Sequence, residues 1–284
     1  MRKHTMGLLA MAAASTLALS ACGGGEVGEP TDGDDTAAGG GDTIRIGIKY
    51  DQPGLGLQEG DTFTGFDTDV ARYVADKLGY SEDQIEFVET ISANRETALQ
   101  NGDVDMIFAT YSINDDRKEL IDFAGPYFVA GQDLLVAADN TDITGPETLE
   151  GKKLCSVTGS TSAENIKTQY SEGVQLVERG GYAECATALA SGAVDAVTTD
   201  DIILAGLAAT EENAGKFKVV GAPFSEERYG VGLPKGSDQC EDINAAITEM
   251  IEDGTWDELV AANTEGADYT PNADLNPPTP DACA

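Results

Sequence analysis

The pattern of apolar and polar positions changes period several times after Thr43, and each change marks an element. "TIRIGIK" (43–49) alternates apolar and polar residues and predicts a strand. In "FDTDVARYVADKLGY" (66–80), Val70, Tyr73, Val74 and Leu78 fall at helical spacing, so one apolar stripe faces a core. "QIEFVE" (84–89) returns to the period of a strand. Further on, "KKLCSV" (152–157) predicts a strand, "GSTSAEN" (159–165) opens a helix, and "VQLVE" (174–178) predicts another strand.

Two later stretches match each other. "TALQNGDVDMIFAT" (97–110) and "TALASGAVDAVTTD" (187–200) share a helix end, a glycine stop at Gly102 or Gly192, and an apolar run suited to a buried parallel strand. The offset of 90 residues is constant, as in an internal duplication. Each half of the chain therefore reads strand, helix, strand, helix, strand, and predicts two α/β lobes. Ligands of open α/β sheets sit at the carboxyl ends of strands. Thr110 and Asp200 hold the same place in the two repeats, so they are expected to face one another across a cleft.

The start of the chain has a different character. Arg2 and Lys3 precede an apolar run from Met6 to Leu19, too short to span a bilayer comfortably, which reads as a signal peptide over residues 1–21. Leu19-Ser20-Ala21-Cys22 resembles the bacterial lipobox, which implies lipidation of Cys22 and anchoring to the outer face of the cell membrane. Residues 23–42 are glycine, acid and proline with little to bury, and predict a flexible linker that begins at Cys22. The folded lobes are expected over 43–133 with 229–284, and over 134–228.

Charge narrows the partners. The full chain has 17 Lys and Arg against 51 Asp and Glu, a net charge of -34; loss of Arg2 and Lys3 with the signal peptide leaves 15 against 51, or -36. Such a surface repels nucleic acid. The single histidine, His4, leaves with the same segment, which excludes histidine-dependent triads and most zinc sites from the mature protein. No cofactor motif is present and no EF-hand spacing occurs; "TDGDD" falls in the linker. Four cysteines follow Cys22, an even number in an exported chain, and allow three pairings. Cys155 with Cys185 and Cys240 with Cys283 is favoured, because each pair then lies inside one lobe.

Candidate chemistry clusters near the predicted cleft. Ser92 is a plausible helix N-cap with Arg95 in the first turn, where a cation gains from an anionic partner. Thr110 and Ser112 place hydroxyls before Arg117, whose guanidinium can hold a carboxylate through two parallel hydrogen bonds. Thr161 and Glu164 have capping-box spacing, and the helix start offers free backbone donors to an anion. Asp200 suits an ammonium. Two arginines with donors for carboxylates, plus one carboxylate for an amine, outline an acidic amino acid.

The motifs "GFDTDVARYVADKLGY" (65–80) and "SINDDRKELIDFAGPYF" (112–128) resemble those of family 3 extracellular solute-binding proteins. "GIKYDQPGLG" (47–56), "LPKGSD" (233–238) and "INAAITEMIEDGTWDELV" (243–260) fit the same family. Within it, the chain looks most like the glutamate-binding lipoproteins of actinobacterial ABC importers. The resemblance implies a two-lobed, type II periplasmic-binding-protein-like fold with two crossing hinge segments, and a monomer that closes on glutamate and delivers it to a membrane permease. It implies that Arg117 and Thr161 hold the ligand α-carboxylate, that Asp200 holds the α-ammonium with Thr110 and Ser112, and that Ser92, Arg95 and Lys49 meet the side-chain carboxylate. Asn114 departs from the family's arginine motif, and Thr199 stands where acidic-amino-acid binders often have histidine. Tyr50 is a candidate wall over the ligand. Other readings are an enzyme on the same scaffold, such as a dehydratase, and a sensory or partner-binding lipoprotein.

Overall fold

Residues 43–170 and 173–283 are described in the computed structural model; the expected signal peptide, Cys22 and the expected linker to residue 42 lie outside them. Strand β1 (Ile44–Ile48) buries Ile44, Ile46 and Ile48 on one face and Gly47 on the other, while Arg45 at its start is only half-buried. A three-stranded meander, β2 (Asp51–Gln52), β3 (Gly56–Glu59) and β4 (Thr62–Thr64), leads into helix α1 (Phe66–Lys77). That helix buries Val70, Ala71, Val74 and Ala75, with Asp67 and Asp69 in its first turn and Lys77 in its last, each charge matched to the helix dipole. Strand β5 (Ile85–Glu89), helix α2 (Arg95–Asn101) and strand β6 (Met106–Ile107) complete the first unit, followed by helix α3 (Asp115–Leu120).

Strand β7 (Asp122–Ala130) then passes through Gly131 into β8 (Gln132–Ala137), which belongs to a second sheet. The second unit follows as β9 (Lys153–Val157), α4 (Thr161–Gln169), β10 (Gln175–Arg179), α5 (Tyr182–Ala190) and β11 (Ala196–Asp200). Helix α6 (Asp201–Ala209) and β12 (Phe217–Val219) close that lobe. Strand β13 (Glu227–Leu233) returns to the first sheet, and α7 (Cys240–Glu252) and α8 (Thr255–Asn263) pack on it. Gln132 and Asp133 thus lie in the second sheet and Glu227 and Arg228 in the first, two residues before each boundary read from the sequence.

The sheets run β5-β1-β6-β13-β7 and β10-β9-β11-β8-β12, the same order twice. The duplication extends to single atoms. Asp105 Oδ2 accepts from the Arg45 amide at 2.8 Å, and Asp195 Oδ2, 90 residues on, accepts from the Lys153 amide at 2.7 Å, so each aspartate pins the start of β6 or β11 to the first strand of its unit. Gly102 and Gly192, both left-handed at φ 71° and 70°, stop the preceding helices as the sequence predicts.

The core of the first lobe carries an aromatic stack of Trp256 on Phe128 on Tyr229, with ring centroids 6.0 and 5.7 Å apart. Tyr229 ends in the cleft, where its hydroxyl donates to Asp200, so the lone tryptophan is two rings from the site. Both favoured disulfides are formed, Cys155–Cys185 inside the second lobe and Cys240–Cys283 between α7 and the C-terminal segment. That segment lies along the edge strand β7: Asn276 exchanges hydrogen bonds with the Val129 backbone, and the Asp281 amide donates to the Gly125 carbonyl. A Cys-anchored strap thereby covers an otherwise open sheet edge.

Candidate functional site

Helix α3 positions Arg117. Asn114 is its N-cap, with Oδ1 accepting from the Arg117 amide at 2.9 Å, so the departure from the family motif supplies a capping side chain. The guanidinium donates to the Ser112 carbonyl at 2.6 Å and to the Gly159 carbonyl of the second lobe at 3.1 Å, and Nε lies 3.3 Å from Glu96 Oε1. Tyr111 donates to the same carboxylate at 2.7 Å, while the Arg95 and Arg117 guanidiniums sit 4.0 and 4.9 Å from the centre of its ring. Arg95 donates to the Ala109 carbonyl, and its buried Nε has no partner. Lys49 Nζ donates to Ser92 Oγ at 2.8 Å.

These cations crowd one another away from water. Burial, then Arg95, lowers the Lys49 ammonium to about 7, and the same two causes bring Arg117 down to about 10. Burial pushes the Tyr111 hydroxyl up, so it stays a neutral donor to Glu96.

Across the cleft, α4 and β11 present their ends. Ser160, not Thr161, caps α4, with its Oγ accepting from the Ala163 amide at 3.0 Å. Thr161 is therefore the first helical residue and its hydroxyl is free of capping; it donates to Glu227 Oε2 at 2.8 Å and lies 3.4 Å from Ser112 Oγ. Ser92 likewise is not the cap of α2, a place taken by Asn94; it begins a 3-10 turn and serves Lys49. Asp200 ends β11, accepts from the Tyr229 hydroxyl at 2.6 Å, and is held well above the usual carboxylate range by burial and then by Glu227. Thr110 adopts φ 47°, the left-handed region, where its amide donates to Asp67 Oδ2 at 2.7 Å. A non-glycine residue in that region is strained and is tolerated where surrounding contacts hold it.

Ser92, Arg95 and Thr110 of the first lobe line one small cavity with Thr161, Thr199 and Asp200 of the second. The enclosed space is about 10 Å³, room for little more than one water, so a ligand enters only when the lobes part. A hollow of about 600 Å³ behind Asp201 is far larger but gathers none of these groups. Arg117, Ser112 and Lys49 stand beside the small cavity through the contacts above. Tyr50 is not a wall over it: the ring packs on Phe63 at 5.3 Å and the hydroxyl donates to the Phe87 carbonyl. Glu96, Tyr111, Glu227 and Tyr229 were not singled out from the sequence. Glu227 and Tyr229 begin the returning strand, and Tyr111 lies between two residues that were.

A model of bacterial extracellular solute-binding proteins, family 3, matches residues 44–264. The chain is 46% identical over 271 residues to the glutamate-binding protein GluB of Corynebacterium efficiens, covering 90% of each chain. It is 39% identical to the glutamine-binding protein GlnH of an ABC transporter in Bacillus subtilis, covering 86% of this chain and 91% of that one. An ancestral arginine-binding protein solved with arginine superposes with a TM-score of 0.71 at 36% identity, covering 78% of this chain and 97% of that one. With its two lobes, its doubled sheet order and a match from the first strand to the end of α8, this chain belongs to the bacterial extracellular solute-binding proteins of family 3.

Proposed function

We propose that the protein is the lipid-anchored, substrate-binding component of an ABC importer, and that it captures glutamate outside the cytoplasm by closing two lobes. The observation that carries this reading is the charge layout of the cleft: three buried cations, Lys49, Arg95 and Arg117, on one lobe, and the buried carboxylate of Asp200 on the other. A zwitterion with a second carboxylate is complementary to that layout, whereas a neutral amino acid leaves one cationic subsite unanswered.

In this reading Arg117 and Thr161 hold the α-carboxylate, Asp200 holds the α-ammonium with Thr110 and Ser112, and Ser92, Arg95 and Lys49 hold the side-chain carboxylate. Glu227 orients Thr161, and Tyr229 orients Asp200. The lobes rotate about Gly131 and about residues 220–226, where the chain crosses between sheets. Neither lobe alone satisfies all charges of the ligand, so binding free energy is realised on closure, and the closed form is the one a membrane permease reads. The lipid on Cys22 and the linker keep the domain near that permease.

Calorimetric titration with glutamate, aspartate, glutamine, arginine and a neutral amino acid tests the proposal. Tight one-to-one binding of glutamate above the others is expected. Arg117→Lys, which keeps the charge but loses the two-pronged donor geometry, should weaken it by about 30-fold or more, the scale of disrupting one member of a buried charge pair. Wild-type protein that binds none of these amino acids would refute the reading.

A further inference from the structure

We propose that binding of a ligand carrying a side-chain carboxylate is coupled to proton uptake by Lys49, which makes Lys49 the residue that separates an acidic amino acid from its amide. The inference rests on the glutamate reading above and adds a proton to it.

Lys49 follows β1 and is covered by the β2–β3 hairpin. Gly56 lies so close that a Cβ there would stand 2.7 Å from the Lys49 carbonyl oxygen and 3.2 Å from its Cβ, so only glycine lets the hairpin seal the lysine in. The side chain is 4% exposed and its ammonium donates to one neutral partner, Ser92 Oγ. No ion pair involves Lys49 among the described residues.

The charged groups around it come from four directions. Arg95 from α2 and Arg117 from α3 oppose its charge; Asp51 from β2 and Asp67 from α1 favour it. Each nearby carboxylate is engaged elsewhere. Asp67 accepts from the Thr110 amide and the Tyr127 hydroxyl, Asp51 reaches toward the Ala183 amide of the other lobe at 3.4 Å, and Glu96 serves Arg117 and Tyr111. Three buried cations therefore share one paired carboxylate. Arginine does not release its proton, whereas a buried lysine does so readily, so Lys49 is the group that yields.

Its lowering to about 7 agrees with this geometry. A ligand carboxylate set between Lys49 and Arg95 supplies the missing anion and restores the ammonium. A ligand amide supplies none. Between the free and the bound titration points, Lys49 holds one proton more in the complex than in the free protein. Through Lys49 alone, affinity for the acid should then fall by about tenfold per pH unit above about pH 7 and level off below it. Asp200 changes ionisation in the opposite sense when it meets any α-ammonium, so the Lys49 contribution is read as a difference between variants with one ligand.

The test is calorimetry of the purified full chain with glutamate near pH 8.5, in buffers of different ionisation enthalpy, for wild type, Lys49→Arg and Lys49→Met. Wild type should take up about one proton more than Lys49→Arg, whose charge is permanent, and its affinity should fall relative to that variant's by about tenfold per pH unit. Lys49→Met should bind glutamate weakly and narrow the gap between glutamate and glutamine. Equal proton uptake in wild type and Lys49→Arg, with glutamate bound tightly by both, would overturn the coupling and leave the glutamate reading standing. Failure of wild type to bind glutamate at any pH would overturn both.

Discussion

Gly159 offers a way to perturb closure without touching a ligand-binding side chain. It sits at φ 79° on the second lobe, just before α4, and a Cβ there would stand 2.7 Å from Ala93 Cα, 2.9 Å from Ala93 N and 3.0 Å from Ser92 C. Those are backbone atoms of the first lobe and cannot turn aside. Gly159→Ala therefore has two separable costs. The left-handed conformation costs about 1–2 kcal/mol in every folded state, open or closed. Overpacking against Ala93 costs about 1–3 kcal/mol, and only when the lobes close. The first cost should lower the melting temperature by about 2–4 °C per kcal/mol in a domain of this size. The second should weaken glutamate binding by about 5- to 150-fold. Gly102→Ala is the control: its φ is 71°, but nothing lies within 4 Å of the added carbon. Melting curves and calorimetric titrations of both variants separate the effects. If Gly159→Ala binds glutamate as tightly as Gly102→Ala, closure does not bring Gly159 against Ala93, and the binding mechanism derived from this geometry fails.

Two further outcomes follow from the same contacts. Asp200→Asn should bind glutamate weakly yet melt no lower than wild type without ligand. Asp200 titrates well above its unfolded value, so its ionised form opposes folding once pH exceeds the usual carboxylate range near 4, and the variant's relative stability should grow as pH rises from there; a melting temperature that drops with Asn across that range would contradict the assignment. Removing the Cys240–Cys283 bridge by paired serine substitutions opens a loop of 43 residues in the unfolded chain and should cost up to about 4 kcal/mol, a melting shift on the order of 10 °C. Thermal melts of the double variant check this, and an unchanged curve would mean that the bridge adds nothing to the contacts that already hold the strap along β7.

What the sequence disclosed and what it hid divide along a physical line. The paired lobes were legible because a duplication at constant offset repeats both the glycine stop and the strand, down to Asp105 and Asp195. The caps were misplaced by one or two residues, because "GSTSAEN" and "ISANRE" each hold several equally good capping side chains, and only backbone geometry chooses Ser160 and Asn94. Polar partners drawn from distant segments were invisible: Glu227 lies 66 residues from Thr161, and nothing local marks it.

The charge balance explains why one half of the site was easier to find than the other. Acids outnumber bases by 51 to 17, so a lone aspartate or glutamate in this sequence is anonymous. Four buried acids occur among the described residues, Asp67, Asp133, Asp200 and Glu227, and only Asp200 had been chosen, through its place in the repeat. Basic residues are scarce, and an exposed one finds an acidic neighbour almost anywhere on this surface. Burying one costs solvation that a plain surface pair does not require. The buried basic side chains among the described residues are Lys49, Arg95 and Arg117, the same three that the family resemblance had assigned to the ligand's carboxylates. In a strongly acidic binding protein the cations withheld from that surface carry the information about the ligand, and the geometry of the two with no carboxylate partner, Lys49 and Arg95, is where selectivity should be sought.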